Sequence, residues 1–159
     1  MSETRPNAQS GDLVIRPASD DDLQNVHRMA TALAAFHGEG CALTLEALHR
    51  DALGERPWIS LFVAKINGEC VAYSALNRLI RMATGQRGME LQHLYVEQHV
   101  RGQGVGTRLL DAAIDFARSE GCSYLALSAR MNNGKAQAFY AAKGFEILPP
   151  TNSRFLMKI

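Results

Sequence analysis

The chain reads as a mixed α/β fold, α+β-like in its pairing, with a central, mostly antiparallel seven-stranded sheet and four helices. Three observations predict it. Asn67-Gly68 joins the apolar runs Leu61 to Ile66 and Glu69 to Leu76, the turn chemistry of an antiparallel hairpin. Tyr124-Leu125-Ala126-Leu127 is too apolar for a half-exposed strand and follows a strand-then-helix pattern, as an interior parallel strand does. Between these segments, apolar residues recur at helical spacing.

The elements follow in order. Residues 1–11 are polar and read as a flexible N-terminal tail; residues 12–159 read as one domain. Leu13-Val14-Ile15-Arg16-Pro17 is a short strand stopped by proline. Ser19 and Asp20 to Asp22 supply caps and first-turn acids for a helix carrying Leu23, Val26, Met29, Ala30 and Leu33 and ending near His37-Gly38. Thr44 caps a second helix to Leu53, closed by Gly54 and Pro57. After the hairpin and a turn at Thr84 to Gly88 comes a strand from Met89 to Val96. A helix from Gly104 to Gly121 has Val105, Leu109, Ala112, Ala113 and Phe116 on its apolar side. Beyond Tyr124 to Leu127, a last helix runs from Asn133 to Lys143. Phe145 to Leu148 and Arg154 to Ile159 read as two further strands about Pro149-Pro150.

Composition narrows the function. With 159 residues, 47% of them hydrophobic, 21% charged and a net charge of +1, the chain has neither the basic excess of a nucleic-acid binder nor a membrane-surface patch. Small-molecule partners are expected, with no nucleic acid and no membrane. Cys41, Cys70 and Cys122 lack disulfide-framework or zinc spacing, so no metal is expected. Reduced thiols, and an N-terminal stretch without an apolar core, predict a cytoplasmic location.

Val100-Arg101-Gly102-Gln103-Gly104-Val105-Gly106 sits between a strand and a helix start. Glycines there let backbone N–H groups converge on an anion, and the helix terminus adds partial positive charge. Two better-known phosphate loops fail on spacing. A Walker A loop needs Lys after its last glycine, where Thr107 stands; a dinucleotide fingerprint needs G-x-G-x-x-G, and Gly102, Gly104 and Gly106 run G-x-G-x-G. What remains is a diphosphate cradle or a plain strand-to-helix turn.

A second pattern lies downstream. R-x-x-G-x-G from Arg101 to Gly106, followed by N-x-x-A-x-x-F-Y-x-x-x-G-F from Asn133 to Phe145, resembles the GCN5-related N-acetyltransferases over roughly Leu13 to Ile159. The resemblance implies that family's fold and acetyl-CoA as cosubstrate. It places Arg101, Gly102, Gln103, Gly104, Val105, Gly106 and Thr107 on the pyrophosphate, Leu94, Tyr95 and Val96 along the donor, and Asn133 on the pantetheine arm, although Asn133 is equally suited to cap its helix. It also allows a homodimer, for which Phe155 to Ile159 could form an edge strand.

In Met89 to Val96 the apolar phase slips: Met89 and Leu91 are odd, Leu94 and Val96 even. A β-bulge does this and frees a backbone N–H; a strand buried on both faces would show no phase at all. The resemblance implies the bulge and assigns the freed N–H, that of Leu94, to the thioester carbonyl. An alkylamine with pKa about 10 must lose a proton before it attacks. Glu90 and Gln92 occupy positions where relatives place the base, and of these only Glu90 accepts a proton. His93 is the rival, but on a regular strand it faces the other way. The resemblance makes Tyr140 the acid for the leaving thiolate, although a tyrosine after phenylalanine on a helix is equally suited to the core with its hydroxyl tethered.

Leu43 to Trp58 resembles the helix-and-turn segment of diamine and spermidine acetyltransferases, with Thr44, Leu48, Asp51, Gly54 and Pro57 in register. Where that subgroup carries an acidic pair, this chain has Gln92 and His93, which weakens the case for a long polyamine. The expectation is direct acetyl transfer to the primary amine of a diamine or polyamine, an amino acid or a monoamine. The alternatives are acetylation of a protein N-terminus or lysine, and a non-catalytic acyl-CoA-binding regulatory module.

Overall fold

Residues 12–151 and 153–159 are described by a computed structural model, so the tail expected over residues 1–11 lies outside the described residues. The chain forms two compact units, one running to Leu127 and one from Ser128 to Ile159.

The first unit is a five-stranded sheet in the order β1-β2-β3-β4-β5: β1 (Leu13–Pro17), β2 (Ile59–Ile66), β3 (Glu69–Arg81), β4 (Gln86–Val96) and β5 (Tyr124–Leu127). β1 to β4 pair antiparallel, and β5 joins β4 in parallel, but at the edge of the sheet with its four residues half-buried and not in the interior position expected, because apolar composition does not supply a second strand to pair with. The β2–β3 turn places Asn67 at φ 50° and Gly68 at φ 84°, the backbone that Asn-Gly selects. β3 and β4 extend beyond the expected bounds. Apolar alternation ends at Leu76, but ladder pairing needs no apolar side chain and continues from Asn77 to Arg81 against Gln86 to Glu90.

Alternate residues of β2 divide between two helical layers. Leu61 and Val63 pack toward α1 (Leu23–Phe36) and α2 (Leu45–Leu53), against Val26, Met29, Ala30 and Leu48. Phe62 faces the other way, its ring 5.0 Å from that of Phe116 on α3 (Val105–Ser119), where Leu109, Leu110 and Ala113 are fully buried.

Asp22, ahead of α1, is fully buried and charged. Burial alone would raise its carboxyl. Hydrogen bonds from Arg16 (2.6 Å), the Ser19 N–H (2.9 Å), Lys65 (3.2 Å) and the Ser19 hydroxyl (3.0 Å) outweigh that and hold it far below the ordinary carboxylate range. Residues of β1, β2 and the α1 approach thus share one ion cluster that fixes where the helix begins.

In the second unit α4 (Gly134–Ala142) is the regular element. The two strands expected over 145–148 and 154–159 do not form, so the sheet has five strands instead of seven. An apolar run becomes a strand only when an edge accepts its backbone hydrogen bonds, and Pro149-Pro150 donates none. Phe155, Leu156, Met157 and Ile159 stand exposed, outside any strand. Among the described residues no helix is long and apolar enough to cross a membrane, and no group of three or more His, Cys, Asp or Glu could hold a metal.

Candidate active site

The sheet breaks register at one point of β4. Ala75 of β3 faces His93 and Leu76 faces Leu91, so Gln92 is an extra residue on β4. Hydrogen bonds on either side agree. The Arg87 carbonyl accepts from Ser123 N–H (2.9 Å) next to β5, so on a regular strand the odd residues after it would keep facing β5. Beyond the extra residue the sense is reversed, because Glu97 N–H donates to the Val71 carbonyl on the β3 side (2.9 Å).

Counting back from Glu97, Tyr95 points its N–H to β3, whereas Leu94 and Val96 point theirs to the opposite edge. β5 does not extend there, since it pairs only with Gly88 to Leu91. The expected bulge is therefore present, and Leu94 and Val96 carry edge N–H groups with no strand beside them among the described residues. The Val96 carbonyl on this edge accepts from Arg101 Nε at 2.8 Å, which anchors Arg101 with its guanidinium 5.6 Å from the Tyr95 ring.

The cradle follows directly. Gly102 (φ 75°) and Gly104 (φ 83°) take left-handed backbone that side chains disfavour, and a Cβ at either would meet nothing within 4 Å. Conformation, not crowding, demands glycine here, and the space is open to a ligand. Gln103 is tied back to the His99 carbonyl (3.3 Å), and Arg108 N–H closes the first turn of α3 on the Gly104 carbonyl (3.0 Å). The N–H groups of Val105, Gly106 and Thr107 precede any intrahelical acceptor, and no acid stands in that first turn. Such a terminus suits a diphosphate.

On the face covered by α1 and α2 lies a cleft of about 530 Å³. Val26, Ala30, Leu43, Leu48 and Leu61 are among its apolar walls, and Tyr73, Gln92, His93, Arg50, Asp51 and Trp58 bring the polar groups and the single tryptophan. The α1–α2 connection is held by the His27 ring N–H on the Leu43 carbonyl (2.7 Å), and Thr44 caps α2 through Ala47 N–H (3.1 Å). Asp51 is the one carboxylate in the lining. Arg50 grips it with two hydrogen bonds of 2.8 Å and holds it below the usual range. Glu46 on α2, and Glu39 and Glu55 in the segments before and after it, are exposed.

His93 does not face away from Glu90. The extra residue restores it to that face: Glu90 pairs with Asn77 and His93 with Ala75, two residues apart on β3. Side-chain contacts follow, Asn77 Nδ2 donating to Glu90 Oε2 (3.4 Å) and Tyr73 Oη lying 2.8 Å from His93 Nδ1. Burial, helped by His37, lowers the His93 imidazole, and burial raises the Tyr73 phenol, so both are neutral near pH 7. Tyr73 escapes a sequence reading because it lies in the run Cys70 to Leu76, apolar but for Ser74; only the register brings it to His93.

In the second unit, Asn133 Oδ1 accepts from Ala136 N–H (3.1 Å), the helix-capping role. Tyr140 is packed edge-on between Phe139 (centroids 5.2 Å) and Phe145 (5.7 Å), and burial raises its phenol.

The model of the acetyltransferase (GNAT) family matches residues 26–145. Thialysine N-epsilon-acetyltransferase from Sus scrofa is 30% identical over 141 residues, covering 83% of this chain and 83% of that protein. Its counterpart from Mus musculus is 31% identical over 143 residues, with 84% of each chain covered. Among solved structures, a possible acetyltransferase from Clostridium difficile 630 superimposes with a TM-score of 0.77 at 18% identity, over 92% of this chain and 99% of that one, a likeness of fold.

Proposed function

The chain belongs to the GNAT acetyltransferase family, and from that premise we propose that it moves the acetyl group of acetyl-CoA directly onto the primary amine of a small molecule held in the cleft beneath α1 and α2. One observation carries this reading. Gln92 and His93 line the cleft, and the next residue, Leu94, directs its N–H to the open edge of β4, so acceptor and donor would meet at consecutive residues.

In this reading Arg101 and the backbone from Gly102 to Thr107 take the pyrophosphate, and the edge from Leu94 to Val96 takes the acyl-bearing arm. Leu94 N–H donates to the thioester carbonyl and more strongly to the oxyanion that forms on attack. Tyr140, kept protonated by burial, supplies the proton to the departing thiolate. Asn133 has its Nδ2 left for the arm once Oδ1 caps α4. The family match spans both compact units, which supports treating residues 12–159 as one catalytic domain.

A cleft with a single, already paired carboxylate among its described lining favours an acceptor with one ammonium group, on an apolar body or beside a carboxylate of its own, over a long polyamine. The names of the relatives from Sus scrofa and Mus musculus, which specify an amine of one small molecule, support the small-molecule class. A homodimer through the exposed Phe155, Leu156 and Met157, and a cytoplasmic site of action for a chain whose Cys41, Cys70 and Cys122 are all free thiols, complete the proposal.

The test is thiol release from acetyl-CoA with monoamines, amino acids, diamines, polyamines and N-terminal peptides. Turnover is expected with monoamines or amino acids at lower KM than with spermidine. Turnover confined to peptides would move the acceptor to proteins, and acetyl-CoA binding without turnover on any amine would favour a regulatory module.

A further inference from the structure

We propose that His93, oriented by Tyr73, is the base that deprotonates the acceptor amine, and that Glu90 is not. This rests on the acetyl-transfer reading above. The extra residue at Gln92 turns His93 into the cleft lining, whereas Glu90 is not part of that lining; it pairs with Ala126 of β5 and accepts from Asn77. The 2.8 Å contact with Tyr73 Oη engages Nδ1, and Nε2 has no hydrogen-bond partner among the described residues. In this role Nδ1–H donates to Tyr73 Oη, and Nε2 is the basic atom.

The surroundings suit a weak base that is already unprotonated. Tyr73 is 1% exposed and neutral, so it orients the ring without the fixed negative charge that would hold a proton on it. The titratable and charged groups around His93 are Tyr73 on β3, Glu90 and Tyr95 on β4, Arg50 and Asp51 on α2, His37 at the end of α1 and Cys41 in the connection after it. Asp51 is neutralised by Arg50, and His37 opposes a second positive charge.

The step balances simply. Nε2 takes one proton from R–NH3+, the freed nitrogen lone pair forms the C–N bond to the acetyl carbonyl, and the C–S bond breaks with its electron pair leaving on sulfur. Tyr140 gives its phenolic proton to the thiolate and is reprotonated by the proton that the amide nitrogen loses, and the imidazolium returns its proton to solvent, so one proton is released in all.

The experiment is the pH profile of kcat/KM with the best small amine. Between about pH 7 and 9 the base is free and an amine of pKa about 10 is still protonated, so the wild-type protein should show a plateau. His93→Gln should lose about 10²- to 10⁴-fold at pH 7 and climb about tenfold per pH unit, following the free amine, with partial rescue by added imidazole. Glu90→Gln should keep the plateau. Tyr73→Phe should lower kcat at unchanged KM and move the acid limb. A wild-type plateau preserved in His93→Gln, or lost in Glu90→Gln alone, would overturn the assignment. In the unmutated protein, imidazole 15N shifts at pH 7 should show Nδ1 protonated and Nε2 bare, and the opposite tautomer would also overturn it. Wild-type protein that binds acetyl-CoA but releases no thiol with any amine would instead sink the acetyl-transfer reading itself, and the base with it.

Discussion

The proposed donor edge and the proposed acceptor cleft lie on either side of the same bulge yet are built from different materials. On the donor side the working groups are backbone: the N–H groups of Leu94 and Val96, two glycines at positive φ and the first turn of α3. On the acceptor side they are side chains that meet only through strand register, Tyr73 with His93, beneath helices that contribute apolar wall. Under the proposed reading the contrast makes donor binding a matter of local conformation and acceptor choice a matter of tertiary placement. The two should therefore fail separately.

The largest expected effect is on the roof. Asp22→Asn removes the buried anion and leaves Arg16 and Lys65 without it, for a loss of about 3–5 kcal/mol by thermal or denaturant unfolding. Because the folded carboxyl is held below its unfolded value of about 3.9, its contribution is complete above that pH and fades as pH falls below it. The wild-type stability curve should bend down there, and that of the variant should bend less. If the roof serves the acceptor alone, the variant's amine KM should rise while its acetyl-CoA affinity holds.

Next comes the edge. Leu94→Pro deletes an N–H that no strand uses, so the fold should persist while kcat falls about 10²- to 10³-fold with acetyl-CoA still bound. Tyr95→Pro, one residue on, should instead disrupt the β3 ladder. Equal damage from both would erase the distinction between the two sides of β4. Smaller is Gly104→Val, which forces a β-branched residue into φ 83° at a strain of about 1–3 kcal/mol and should weaken acetyl-CoA binding about tenfold or more, with amine KM little changed.

The same division explains what could be read from the chain. The hairpin, the glycine-rich strand-to-helix turn, the bulge and the helix bounds were legible because each depends on a few neighbouring residues: Asn67-Gly68, Gly102 to Gly106, and the phase slip between Leu91 and Leu94. The side on which His93 falls was misjudged for a regular strand, since its direction depends on the very bulge inferred beside it. Tyr73 was hidden in an apolar run, and a phenol at the end of a buried side chain has no periodic signature. The two C-terminal strands were expected from apolarity alone, which says nothing about whether an edge exists to receive them.

The most direct measurement is site-resolved amide hydrogen exchange along β4, without and with acetyl-CoA. Tyr95 N–H should be protected in both states, and Leu94 and Val96 should exchange quickly in the free protein and slow markedly on binding. Leu94 protection already complete in the free protein and unchanged by acetyl-CoA would contradict the open edge, and with it the meeting of donor and acceptor at the bulge.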